Sequence, residues 1–173
     1  MSNKGKRFLA SLIGLHLSED PPDLESLVPN RIQNEIMCGR LPRFNPTTIM
    51  LNSGESCHYM NRAALALQKT EKSYHTKRHG GGRKKKKKYT VFSSGSTTKP
   101  IEQSWYEFKE GVVFVTNQRI IFVAPENGFE KKLKVLTAVI PYSDAITLQF
   151  GSQTITLILP DSQLMAMVLK MVH

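Results

Sequence analysis

Gly111-Val112-Val113-Phe114-Val115-Thr116-Asn117-Gln118-Arg119-Ile120-Ile121-Phe122-Val123 reads as two β-type runs joined by a polar turn. Val112 to Val115 and Ile120 to Val123 are β-branched and aromatic throughout, the composition that suits strands. Thr116 and Asn117 can bond the backbone locally, so the three residues between the runs predict a turn. Two strands so closely joined make an antiparallel hairpin, and the rest of the chain can be read outward from it.

Toward the C-terminus, Pro125-Glu126-Asn127-Gly128 is a tight turn whose Asn-Gly pair is a strong hairpin signal. Leu133, Val135, Leu136, Val139 and Ile140 follow. Ile146-Thr147-Leu148-Gln149-Phe150 and Thr154-Ile155-Thr156-Leu157-Ile158-Leu159 alternate around Gly151-Ser152, a second antiparallel pair. Asp161 is an expected N-cap, and Leu164, Met165, Val168, Met171 and Val172 recur at helical spacing.

Toward the N-terminus, Ser56 to Lys69 reads as one long strand, although Arg62 to Leu67 would suit a helix equally well. Thr48 to Leu51 reads as extended, Asn52-Ser53-Gly54 as a turn, and Tyr89 to Phe92 as a short β segment. Residues 23–41 carry a helical pattern punctuated by Pro29, with Gly39 as its stop. Phe8, Leu12 and Leu15 lie on one face of a further short helix, behind the basic start Lys4, Lys6 and Arg7. No small-x-small cleavage site follows, which argues against a secretory leader. The expected fold is α+β and mainly β: about seven short antiparallel strands, a C-terminal amphipathic helix, and short helices in front.

The chain has 173 residues, 40% of them hydrophobic and 22% charged, with two cysteines. That length fits one domain with an appendage and excludes a large multidomain enzyme. Cys38 and Cys57 cannot make a disulfide framework, so a reducing, cytoplasmic setting is expected. No apolar run reaches the ~18–20 residues of a membrane span.

The net charge of +10 is concentrated in one place. Lys69, Lys72, Lys77, Arg78, Arg83, Lys84, Lys85, Lys86, Lys87 and Lys88 stand against the single acid Glu71, a surplus of +9 in twenty residues. The other 153 residues hold 14 bases and 13 acids, close to neutrality. Clustered cations displace counterions from a phosphate backbone, the main source of sequence-independent nucleic-acid affinity. Tyr74, Tyr89 and Phe92 flank the run and are candidate stacking surfaces for bases. Lysines outnumber forked guanidinium groups, which favours charge neutralisation over base reading. The bland alternative is an inert solvated run.

Other chemistries find little support. Cys57-His58, with His75, His79 and Cys38, match no metal-ligand spacing, and a structural zinc needs four converging ligands. On a regular strand Cys57 and His58 point to opposite faces, so a buried cysteine beside a surface histidine is expected. No nucleophile elbow is present. Glu107 and Glu110 read as a solvated face, and Gly80-Gly81-Gly82 lacks the Gly-Lys-Ser/Thr ending of a phosphate loop. Neither a catalytic residue nor a metal or cofactor is expected. The methionines of the last helix read as packing.

Three segments carry a family resemblance. The Gly111–Phe122 hairpin resembles the glycine-led, Thr-Asn-x-Arg hairpin of GRAM and bacterial pleckstrin-homology-like domains. Leu51-Asn52-Ser53-Gly54-Glu55-Ser56-Cys57-His58-Tyr59 and Pro141-Tyr142-Ser143-Asp144-Ala145-Ile146 resemble segments of small PH-like proteins of bacteria, phages and mobile elements. The resemblance covers roughly residues 40–173 and implies a partly open antiparallel barrel capped by a C-terminal helix. The change of period at Thr47 divides the chain into a helical extension, 1–46, and a PH-like domain, 47–173, and the basic hairpin inserted at about 69–88 departs from the family pattern. The resemblance also implies a binding role without catalysis. The expected partner is nucleic acid or a nucleoprotein, with a mobile-element inhibitor such as an anti-CRISPR protein as one such role. The alternatives are an anionic membrane or inositol phosphate, contacted by a basic loop between the first two strands, and a protein-docking adaptor. Arg119 is expected to be structural, lying across a neighbouring strand or bonding a turn carbonyl.

Overall fold

The computed structural model describes residues 16–17, 21–78 and 96–173. In chain order these form β1 (His16–Leu17), α1 (Asn30–Met37), β2 (Cys57–Arg78), β3 (Ser96–Thr116), β4 (Arg119–Val123) and β5 (Phe129–Lys132). A single 3-10 turn, Leu133–Val135, leads to β6 (Ala138–Pro141), β7 (Ala145–Phe150), β8 (Gln153–Ile158) and α2 (Ser162–Val172). Seven strands make one antiparallel sheet in the order β5-β4-β3-β2-β8-β7-β6, and β1 adds a short parallel pairing to β3. The sheet ends on β5 and β6, so the barrel is open there. Its inner face encloses one apolar core in which Tyr59, Val113, Ile120 and Phe122 meet Ile146, Leu148 and Leu157, with Met165, Val168 and Leu169 of α2 closing one end. This is the partly open antiparallel barrel, closed at one end by a C-terminal helix, that the sequence leads one to expect.

The expected hairpins are present. Val112 to Val115 pair with Ile120 to Val123, and Ala145 to Phe150 with Gln153 to Ile158 around Gly151. The 56–69 stretch is a strand, so its helical alternative falls. Two strands are far from short: β2 has 22 residues and β3 has 21.

β4 is apolar from Ile120 to Val123 because its middle residues are buried on both faces, whereas β7 alternates yet is buried at every position except Gln149. The second layer comes from the N-terminal segment. Phe44 and Ile49 pack over Cys57, Phe114 and Ile121 on the outer face, and Leu24 packs beside Ala64, Phe108 and Ile158. Val28 and Ile36 reach the main core. The helical pattern over 23–41 is realised only as α1. Pro29 disfavours helix at Val28, and residues 21–29 before α1 form neither helix nor strand. The expected helix around Phe8 to Leu15 lies outside the described residues. The segment before β2 forms bends and a turn, with one isolated bridge between Phe44 and Cys57.

Gly111 opens the hairpin motif for a steric reason. A Cβ there would lie 2.3 Å from the Val123 carbonyl oxygen and 2.8 Å from the Phe122 ring. Only a residue without a side chain lets β3 pass so close to the end of β4.

Candidate functional site

β2 and β3 stay paired from Cys57 opposite Thr116 to Arg78 opposite Ser96. The rest of the sheet does not accompany them that far. β8 pairs β2 only at Ala64 to Ala66, β4 pairs β3 only at Val112 to Val115, and β1 touches β3 at Trp105 and Tyr106. Beyond that point nine register pairs, from Thr70–Ser104 to Arg78–Ser96, form a two-stranded ribbon among the described residues. At about 3.3 Å per residue the ribbon is roughly 30 Å long.

The sequence-predicted site residues divide along this arm. Lys69 and Lys72 are exposed near its root. Tyr74, Lys77 and Arg78 belong to the distal part of β2. Arg83, Lys84, Lys85, Lys86, Lys87, Lys88, Tyr89 and Phe92 lie outside the described residues, in the connection that covalently joins β2 to β3. The root is polar as well as basic: Thr70 and Ser104 hydroxyls lie 3.3 Å apart, and the Trp105 indole N–H donates to Glu107 at 3.4 Å. Among the described residues no cluster of three or more His, Cys, Asp or Glu could hold a metal.

At the opposite end of the barrel, two of the resemblance motifs lock together. The Glu55 side chain is fully buried and the Arg119 side chain 14% exposed. Arg119 donates from Nε to Glu55 Oε1 at 2.8 Å and from Nη2 to Oε2 at 2.9 Å, a forked pair. It also donates to the Met50 carbonyl at 2.7 Å and pairs with Glu130 at 2.9 Å. Thr116 Oγ1 donates to Glu55 at 2.7 Å, and the Asn52 N–H does so at 2.7 Å. Asn117 completes the junction by accepting from the Ser56 N–H and donating to the Gly54 carbonyl. Burial alone would raise the Glu55 carboxyl, but the hydrogen bonds from Arg119, Asn52 and Thr116 outweigh it and hold the group below its ordinary value. The same carboxylates raise the Arg119 guanidinium. Arg119 thus bonds a loop carbonyl as expected. Glu55 is the partner that sequence reading missed; the Gly54-Glu55 pair stands in one of the resemblance motifs, but nothing local says where its carboxylate goes.

A shallow depression of about 630 Å³ lies beside this lock, lined by Asn52, Gln118, Arg119, Glu130, Lys132 and Lys134 among others. Its guanidinium is already engaged by two carboxylates, so the depression is a poor anion receptor.

Two further expectations change. His58 is buried, with Nδ1 2.7 Å from the Pro42 carbonyl oxygen. It is the extra residue of a β-bulge, since Cys57 pairs Thr116 while Tyr59 pairs the adjacent Val115. The bulge turns Cys57 to the outer face beside Phe114, away from Tyr59 in the main core. Asp161 stands at the N-cap position but makes no capping bond. Its carboxylate instead accepts from Ser26 and, at 3.2 Å, from Asn61. Asn61 is fully buried, accepts from the Leu27 N–H at 2.7 Å and donates to Tyr59 Oη at 3.1 Å. That network ties the N-terminal segment to the start of α2, which is where Asp161 is spent. Glu107 and Glu110 lie on β3, the first half-buried and the second exposed.

No helix among the described residues is long and apolar enough to cross a membrane. No family model and no curated protein matches the sequence. Among solved structures, a Vps36 N-terminal PH domain aligns over 70% of this chain and 80% of its own, at 15% identity and a TM-score of 0.39.

Proposed function

We propose that this chain is a non-enzymatic binding module in which residues 47–173 form the PH-like unit, residues 1–46 an extension packed upon it, and the basic arm a polyanion-binding element. The favoured polyanion is nucleic acid, free or within a nucleoprotein. One observation carries this reading: among the described residues β2 and β3 run on as a ribbon past the strands that flank them, and the charge surplus of the sequence falls on that ribbon and its connection. A projecting strand pair gains little from packing on its own barrel, and its lysines suit phosphate neutralisation. Tyr74, Tyr89 and Phe92 are the residues that would stack on bases.

Anionic-membrane or inositol-phosphate binding is the second reading, favoured by the position of the basic run between the first two strands of the antiparallel sheet. Each base near an anionic surface contributes about 1 kcal/mol. A GRAM-like, mobile-element origin and an inhibitory role of anti-CRISPR type rest on the motif resemblance alone, and gene neighbourhood tests them.

The test compares duplex DNA, RNA and anionic vesicles side by side, with wild type and a variant in which Lys84 to Lys88 are glutamine. Folding is expected to survive, because the substitutions leave every residue of the apolar core unchanged. Nucleic-acid affinity falls, and the wild-type dependence of log affinity on log salt, about 3–5 in magnitude, shrinks by roughly one for every phosphate that is no longer neutralised. Equal binding by both proteins without salt dependence overturns the reading. Discrimination on vesicles alone replaces it with the membrane one.

A further inference from the structure

We propose that the ribbon of residues 70–78 and 96–104 enters the major groove of B-form DNA, so that the arm's partner is duplex DNA; this rests on the nucleic-acid reading above. Three observations carry it. The first is shape. A two-stranded β-ribbon is one of the few protein elements that the major groove, about 12 Å wide, admits. Nine consecutive register pairs give it a length of roughly 30 Å, close to one helical turn of duplex.

The second is composition. Of the eighteen ribbon residues only Tyr74, Pro100 and Ile101 are apolar; the others are Ser, Thr, Gln, His or charged. Such a ribbon has no stripe with which to pack on the barrel and no apolar wedge for a lipid interior. Hydroxyl, amide and cationic groups are instead the ones that meet phosphates and base edges. An isolated two-stranded ribbon is marginal in water. Here its root is held by the barrel and by β1 on the Trp105–Tyr106 edge, and among the described residues no further strand pairs with it.

The third is charge. Within the ribbon Lys72, Lys77, Arg78 and Lys99 stand against Glu71 and Glu102, Lys69 adds a further base at its root, and six more bases follow in sequence at 83–88. Both walls of the groove are lined by phosphates, so a ribbon seated between them meets anions on either side.

The experiment uses the full chain and DNA probes that keep their phosphates while the groove changes. One is a plain duplex of ~20 bp, about two helical turns. The second has the same sequence with glucosylated hydroxymethylcytosine, whose sugar projects from C5 into the major groove. The third is an RNA duplex of that sequence, whose major groove is deep and too narrow for side chains to read. Fluorescence anisotropy at matched salt is expected to show affinity for the glucosylated and RNA duplexes at least roughly tenfold below that for plain DNA, since an excluded ribbon forfeits its phosphate contacts together. Equal affinity for all three, with Lys84 to Lys88 still required, overturns groove entry and leaves nucleic-acid binding standing as backbone recognition from outside. Binding to anionic vesicles and to none of the duplexes overturns both.

Discussion

Arg119→Ala tests whether the motif hairpin is a lock or a binding surface. It removes the guanidinium from a carboxylate whose side chain has no exposure at all. Stripping one partner from a buried pair costs about 3–5 kcal/mol, because the remaining charge is left in a poorly solvated place. Glu55 keeps its bonds from Thr116 and the Asn52 N–H, which puts the expected loss at the low end, about 3 kcal/mol. For a chain of this size each kcal/mol moves the melting temperature by roughly 2–4 °C, so a fall of about 6–12 °C is expected. Thermal unfolding by circular dichroism reads it directly. Binding to duplex DNA, measured well below the transition, is expected to stay at the wild-type level, because the arm leaves the other end of the barrel. Glu55→Gln and the double variant complete a cycle in which the double loss is smaller than the sum of the singles. An unchanged melting temperature with lost binding would move Arg119 into the binding surface. An unchanged melting temperature with binding intact would refute the claim that the pair holds the fold.

The Glu55 carboxyl is held below its ordinary value of 4.5. A depressed folded-state pKa contributes stability that is fully present above the unfolded value and lost as pH falls through the folded one. The stability gap between wild type and Glu55→Gln should therefore be constant near neutrality and close below about pH 4.5 in acid titrations followed by urea unfolding. A gap that widened in acid would contradict the depressed carboxyl. Gly111→Ala drives a Cβ to 2.3 Å from the Val123 carbonyl oxygen, so a loss of about 3 kcal/mol or more, or failure to accumulate folded protein, is expected. Wild-type unfolding behaviour for that variant would mean β3 and β4 part more easily than their packing implies. Cys57 is buried and its thiol is pushed up to about 11 by burial, whereas Cys38 is exposed. A thiol reagent at about pH 8 should label one cysteine per native chain and two after unfolding; rapid labelling of both in the native protein counts against the packing of Cys57 under Phe44.

Sequence and structure agree at the turns and at the last helix, where the signal is local. Thr116-Asn117-Gln118, Asn127-Gly128 and Gly151-Ser152 mark turns because their side chains or their backbone freedom act within a few residues, and Asn127 and Gly151 do adopt positive φ. The spacing of Leu164, Met165 and Val168 puts them on the buried side of a helix that runs from Ser162 to Val172. The basic run is equally plain, since charge is a property of composition.

The remainder depends on which distant segments meet. The partner of Arg119 is 64 residues away in Glu55, and no periodicity reports a pairing over that span. Asp161 has the neighbours of a cap, yet its carboxylate is claimed by Ser26 and Asn61, more than a hundred residues distant in the former case. Strict alternation assigns His58 to the surface, and a single inserted residue in the ladder changes the face count. Burial of Phe114 and Ile121 on the outer side requires Phe44 and Ile49 of the N-terminal segment to lie across the sheet, a contact that no local pattern announces. The reach of the arm is the clearest case. Thr70, Thr76, Thr97, Thr98, Tyr74 and Ile101 favour strand, but the Lys, Glu, Ser and Pro residues between them do not and no alternation marks a buried face, so residues 70–78 and 96–104 pair because β2 and β3 are already aligned by the barrel and hydrogen-bond onward from it. Local chemistry determined the turns, the helix and the charge; the long-range register decided where that charge is presented.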